Sequence, residues 1–322
     1  MDVPKEKAGL YMEEMINGKS TEVLGNCITC YSCNERCPQQ ANPYGLFLEL
    51  QETYNTFFPQ ETISFFENDY QIEGSVSAVP KSDRILTTCS IEKTNPELVQ
   101  GQLYAIPKVG GKEYNCWPIF PHMNAKQVQI RELKNLINRL AETGAKEVIC
   151  FHADCYSALV KTAPEHGIDV PFKPIHLAEY FIDFLRNYQN DIKKLNINIA
   201  YQRPCTSKLT PAAESYIDTV FDLIVVNRVK RKYDRKNALC CSSLLTLHNR
   251  KEIQSCTENN FTDAIDAGAQ AMVYFCPICR DMMNETAKSH AIPLVFMGDL
   301  VRMAIGEIDL VPEPLQLLKN AV

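Results

Sequence analysis

The sequence lacks several features that would each point to a familiar class of protein. No apolar run approaches the ~18 residues needed to cross a bilayer, so a direct membrane span is not expected. No basic excess is present: 33 Lys and Arg stand against 39 Asp and Glu, a net charge of −6, whereas a nucleic-acid-binding surface normally needs positive charge. No Gly-x-Gly-x-x-Gly fingerprint occurs, so nothing marks a bound flavin or nicotinamide, and electrons for any redox chemistry must come from elsewhere. The first residues, Met1-Asp2-Val3-Pro4-Lys5-Glu6-Lys7, alternate in charge and form no apolar signal core. A cytoplasmic protein is expected, associating with a membrane complex only through partners. The remaining bulk properties are ordinary: 45% hydrophobic and 22% charged residues in a chain of 322, enough for two or three domains with buried cores.

What the chain does have is cysteine. Fourteen are present, and in a long chain without an export signal clustered thiols point to metal binding or redox chemistry rather than disulfides. Twelve fall into three groups, leaving Cys150 and Cys256, which can be plain buried hydrophobes. The first group is Cys27-x2-Cys30-x2-Cys33-x3-Cys37-Pro38, the spacing of a bacterial ferredoxin run, in which tight turns aim thiolates at one [4Fe–4S] cube. No second such run follows, so Cys37 or a distant cysteine such as Cys256 is needed to close the cluster. A zinc ribbon fits less well, because zinc sites usually pair two separated Cys-x2-Cys knuckles.

Four segments organise the chain. Residues 1–58 hold the first cysteine run and a helical pattern from Asn42 to Phe58, with Pro43 in its first turn and Leu46, Leu48 and Leu50 as apolar positions. Residues 59–80 read as a polar connector that closes with Ser77-Ala78-Val79-Pro80. The rest is an internal repeat, 81–195 and 196–322. A shift of 124 residues (155 to 279) lays Trp117 on Cys241, Gly144 on Gly268, Phe151 on Phe275, Cys155 on Cys279 and His166 on His290. Each repeat reads as a strand running into a cysteine (Arg84–Thr88 into Cys89; Ile197–Tyr201 into Cys205), a helix, and a glycine at its C-terminus. A second strand follows (Glu147–Phe151; Ala271–Phe275), then a cysteine-bearing turn, a helix and a third strand near Val170–Pro174 or Leu294–Met297. The helix is clearest at Gln127–Thr143, with Leu133, Leu136, Ile137 and Leu140 as its apolar stripe. Strands alternating with helices imply a parallel sheet in each half, with ligands collecting at the carboxyl ends of its strands.

The second cysteine group is Cys205-x34-Cys240-Cys241-x34-Cys276-x2-Cys279. Five soft thiolates exceed the four that a zinc tetrahedron or one cube uses, and an adjacent pair is better suited to flanking different irons than to gripping one ion. A thioredoxin-like Cys-Pro-Ile-Cys dithiol or structural zinc are the alternatives, and the dithiol leaves Cys205, Cys240 and Cys241 unused. Residues 82 to about 310 resemble the cysteine-rich CCG-domain family, the B and D subunits of heterodisulfide reductase, and the N-terminal run resembles that family's C subunit in fused form. The resemblance implies that Cys205, Cys240, Cys241, Cys276 and Cys279 hold a noncubane [4Fe–4S] cluster at which a thiol/disulfide couple is handled, fed by the cubane cluster. It implies an α/β fold of two tandem Rossmann-like repeats behind a small helical ferredoxin-like segment, as a subunit beside flavoprotein or ferredoxin-type redox partners. The alternative function is a pure electron relay between flavoprotein and quinone- or ferredoxin-linked partners.

The third group is the matching position in the first repeat, where Cys89, Cys116, His152 and Cys155 stand for Cys205, Cys240, Cys276 and Cys279, and Trp117 replaces Cys241. With two thiolates lost, three cysteines and a histidine could still hold zinc or a smaller cluster, or the site could be a packed remnant. Two weaker signals remain. Arg228, Lys230, Arg231, Lys232, Arg235 and Lys236 crowd the approach to Cys240, as a solvated loop or a patch that steers anions. His166 and His290 recur in both repeats and read as helix-end or packing residues.

Overall fold

The computed structural model describes residues 3–56, 58–69 and 81–309. It is a mixed α/β structure built on two four-stranded sheets, all of whose pairings are parallel. The first sheet contains β1 (Arg84–Thr87), β2 (Lys108–Val109), β3 (Glu147–Cys150) and β4 (Lys173–His176), in the order β2-β1-β3-β4. The second contains β5 (Ile197–Gln202), β6 (Val226–Arg228), β7 (Ala271–Tyr274) and β8 (Leu294–Phe296), in the equivalent order β6-β5-β7-β8. β3 and β7 are offset by the predicted 124 residues (147 to 271). Gly144 and Gly268, each closing the helix that precedes these strands, adopt φ of +73° and +78°.

Side chains alternate across β3, and the two faces enter different cores. Val148 and Cys150 join Leu133, Leu136, Ile137 and Leu140 of the helix Lys126–Glu142 in a core private to the first repeat. Ile149 and Phe151 point the other way, into a large core shared with β5, β7 and β8. There Phe151 stacks on Phe296 (5.4 Å) and His176 on Phe275 (5.2 Å, 9° between rings). The repeats are therefore packed face to face, which brings their strand ends together.

One expectation is corrected. The third strand of the first repeat lies at Lys173–His176, not Val170–Pro174. β4 is an edge strand bonded only to β3, and an edge tolerates Pro174 within it. Within the polar connector, Gln60–Ser64 is α-helical and continues as a π-helical turn over Phe65–Asp69, with Ile63 packed against Trp117 and Phe120. Residues 70–80, with the expected Ser77–Pro80 closure, lie outside the described residues.

The first segment is helical: Lys5–Ile16, Glu22–Asn26, Ser32–Arg36 and Pro43–Thr53. Pro43 occupies the first turn of the last helix, which the Asn42 side chain caps by accepting from Gly45 N (3.0 Å), and which ends before the expected Phe58. Buried ion pairs fasten this segment to the second repeat. Arg203, 1% exposed, bonds Glu35 at 2.7 Å and Glu214 at 3.0 Å, and Lys208 Nζ donates to Ser32 Oγ at 2.6 Å. Among the described residues no helix is long and apolar enough to cross a membrane.

Candidate metal centres

Strand ends carry the functional side chains of both repeats. Cys89 follows β1, His152 follows β3, and Cys205 and Cys276 follow β5 and β7. In the first repeat Cys89, Cys116, His152 and Cys155 converge: one donor atom from each lies within 4.8 Å of the others. Cys89 Sγ is 3.1 Å from Cys155 Sγ and 3.8 Å from Cys116 Sγ. Sulfur ligands of one tetrahedral zinc, at Zn–S ~2.3 Å, lie about 3.8 Å apart, so the set is sized for a single ion. His152 Nε2 is buried without a hydrogen-bond partner, and unprotonated it offers a lone pair that a bound ion would satisfy. The group can hold a metal.

Local backbone shapes this site. Cys89 adopts a left-handed φ of 51°, unusual for a residue with a side chain. The following Gly110-Gly111 pair secures it. A Cβ at Gly110 would fall 2.8 Å from the Cys89 carbonyl, and Gly111, at φ +91°, donates its N–H to that same oxygen. Hydrogen bonds from Cys116 and Cys155 hold the Cys89 thiol well below its ordinary pKa and leave Cys155 protonated, well above it. Burial pulls His152 down, but the adjoining Cys89 thiolate outweighs it and lifts the imidazole to about 9.

Among the described residues the first-repeat set is the one group whose donors all converge this closely, and in the second repeat four cysteines form a chain of contacts with Cys205 nearby. Cys240 and Cys279 both hydrogen-bond the Cys241 sulfur, holding that thiol well below its usual pKa, and Cys276 bonds Cys279. Burial, and then the charges of Asp154, Cys241 and Cys276, push Cys205 well up. Cys256 joins this neighbourhood, its thiol donating to the Cys240 carbonyl at 3.2 Å. The short helix Ala153–Ser157, which carries Cys155, packs on the turn Thr206–Lys208 after Cys205, so the two cysteine groups are neighbours.

In the N-terminal run Thr29 and Tyr31 both have left-handed φ (53° and 60°), the tight turns expected of a cluster loop. Burial raises Cys27 to about 11 and Cys33 to about 12. Cys30 is lowered: burial opposes this, but the Lys208 ammonium and the Ser32 hydrogen bonds prevail. Cys37 caps the helix Ser32–Arg36 and lines a surface hollow with Lys236 and Asn237.

The basic run divides: Lys230, Lys232, Arg235 and Lys236 are exposed, as in a solvated loop, whereas two side chains turn inward. The buried Arg228 side chain pairs with Glu214, Asp218 and Asp234, and the buried Arg231 side chain bonds Asn260 and Asp263. Arg235 is paired with Asp218. His290 ends the helix Pro277–Ser289, bonds Glu258 at 2.7 Å and stacks on Phe261, a packing role, and His166 likewise sits at a helix end.

A cavity of 560 Å³ lies between the two repeats. Cys89 and His152 form one wall and Pro277 and Ile278, inside the Cys276–Cys279 turn, another; Trp117, Ile91 and Ile119 make it largely apolar, and Lys93 and Asp281 add charge.

Sequence reasoning missed Thr29, His122, Arg203 and Lys208, each of which joins distant segments. The Gly110-Gly111 pair directly after β2 was a readable signal of a close backbone approach.

No protein-family model matches the chain, and no curated protein matches it. Among solved structures, a hypothetical protein from Helicobacter pylori is similar in fold: TM-score 0.57 at 14% identity, over 87% of this chain and 61% of that one. The chain thus spans about three-fifths of that protein's length, and the likeness concerns the fold alone. A glutamate racemase isoform from Bacillus anthracis (TM-score 0.30, 12% identity, 74% of this chain and 81% of that one) is a more distant match. So is the aspartate racemase of Picrophilus torridus (0.32, 10%, 69% and 93%). At those scores neither bears on this chain's chemistry.

Proposed function

We propose that the chain is an iron–sulfur redox subunit of heterodisulfide-reductase type, whose second repeat handles a thiol/disulfide couple. On this reading Cys27, Cys30, Cys33 and Cys37 hold a cubane [4Fe–4S] cluster. Cys205, Cys240, Cys241, Cys276 and Cys279 hold a noncubane one, and Cys89, Cys116, Cys155 and His152 hold one tetrahedral ion, zinc by its donor set. Such centres supply single electrons and an iron that can take up substrate sulfur.

The chain's own residues do the rest. Arg203 and Lys208 hold the N-terminal loop against the second repeat. The observation that carries the substrate reading is the cavity beside Pro277 and Ile278 of the Cys276–Cys279 turn, a space that a relay does not need; Cys89 and His152 of the first repeat form its other wall. Its apolar walls exclude water around an organic chain, and Lys93 and Asp281 give it one charge of each sign. Reduction consumes two electrons and two protons for each disulfide and yields two thiols; the electrons come from a flavoprotein or ferredoxin-type partner.

The test is a titration of the anaerobic protein with a small dithiol while the electron paramagnetic resonance of the second-repeat centre is followed. The proposal expects a new signal in the native chain that is lost in Ile278→Trp, which fills the cavity. A native signal indifferent to thiol would instead favour the relay between redox partners.

A further inference from the structure

All three parts of the chain meet at one imidazole. His122 ends the short helix Ile119–His122 of the first repeat and is buried. Its Nδ1 lies 3.0 Å from the Thr29 carbonyl oxygen, and the Thr29 hydroxyl donates to the His122 carbonyl, also at 3.0 Å. The Tyr31 ring packs against the imidazole at 5.2 Å. A carbonyl oxygen can only accept, so the Thr29 carbonyl draws the ring proton to Nδ1 and leaves a lone pair on Nε2. That lone pair faces Cys205 Sγ at 3.7 Å.

We propose that His122 Nε2 is a sixth protein ligand of the metal centre held by the second repeat, oriented by the Thr29 carbonyl. The proposal rests on the reading of the second repeat as a metal centre. Histidines that ligate metals usually donate their other ring N–H to a carbonyl or carboxylate, the arrangement present here. A sulfur and a nitrogen bound to one tetrahedral metal lie about 3.5 Å apart, from bond lengths of ~2.3 and ~2.0 Å, close to the 3.7 Å between Cys205 and His122. An S–H···N hydrogen bond spans a similar distance, but only a ligating nitrogen couples strongly to the unpaired spin of the centre. Because Thr29 sits between Cys27 and Cys30, the loop of the N-terminal cluster then orients a ligand of the second centre through one hydrogen bond.

The test is pulsed electron paramagnetic resonance of the full-length, anaerobically purified chain, made with natural-abundance or 15N-labelled histidine and poised so that the second-repeat centre is paramagnetic. A histidine nitrogen coupling that changes frequency on labelling is expected in the native protein and in His152→Gln, and is expected to vanish in His122→Gln. Labelling of the native chain keeps the test intact if His122→Gln folds poorly. About eight irons per chain with no histidine coupling, or a coupling that survives in His122→Gln, would overturn the proposal alone. About four irons, unchanged by Cys205→Ser, would overturn the metal reading of the second repeat and the ligand proposal with it.

Discussion

The two repeats share a strand order and a 124-residue offset (147 to 271) at their central strand, yet they use the same strand ends differently. Position 241 is a cysteine bonded by two others, whereas its counterpart Trp117 fills a small core with Ile63, Phe120 and Met123. Position 276 is a cysteine; its counterpart His152 closes a four-donor set that fits one ion. Two substitutions thus turn one scaffold from a wide five-thiol site into a compact site plus apolar packing. The wide site is the one reached by the N-terminal loop, and the redox reading assigns it the chemistry.

The comparison can be broken most forcefully where the N-terminal segment meets the second repeat. Arg203→Ala strands Glu35 without its buried partner, while Glu214 keeps Arg228, and loss of one member of a buried pair costs about 3–5 kcal/mol. A matching drop in chemical-denaturation stability is expected, with faster proteolysis of the N-terminal segment; an unchanged midpoint would show that the segment is held by other contacts. Trp117→Ala is expected to cost about 3–5 kcal/mol, as large-to-small changes of buried aromatics do, while Cys241→Ala in the metal-free chain should cost much less. Equal losses would mean that the two positions have not diverged between packing and ligation.

The next effect tests the face shared by the repeats. Burial lowers His176 to about 4, so between that value and its ordinary pKa near 6.5 the unfolded chain binds more protons than the folded one. Stability is therefore fully present above the unfolded value and falls as pH drops, by about 2 kcal/mol between pH 7 and pH 5. His176→Phe, which keeps the stack on Phe275, should remove that part of the acid sensitivity in urea titrations at the two pH values. The smallest effect belongs to Lys146 and Asp83, whose side chains are 77% and 78% exposed. Lys146→Ala should change stability by less than about 0.5 kcal/mol.

Much of the architecture was legible because it is written locally. The period of Leu133, Leu136, Ile137 and Leu140 marked its helix, Gly144 and Gly268 marked helix ends, and Cys-x2-Cys spacings marked turns at strand ends. The repeat offset then paired Cys89, Cys116, His152 and Cys155 with their counterparts, and that group does converge. Illegible features depend on residues far apart in the chain. Thr29 and His122 are 93 positions apart, and Arg203 is 168 from Glu35, so no window of sequence contains either pair. Within the basic run the buried partners are likewise set by the fold: Glu214 lies 14 residues before Arg228 and Asp263 lies 32 after Arg231. The slip at β4 came from Pro171 and Pro174, which disguise an edge strand whose pairing partner leaves the proline side free.

The account stands most directly on metal content, measured with acid-labile sulfide under anaerobic conditions for the native chain, Cys241→Ser and Cys155→Ser. It predicts about eight irons and one further ion in the native protein, loss of about four irons with the ion retained in Cys241→Ser, and the reverse in Cys155→Ser. Cys241→Ser with unchanged iron, or both variants losing the same metal, would contradict it.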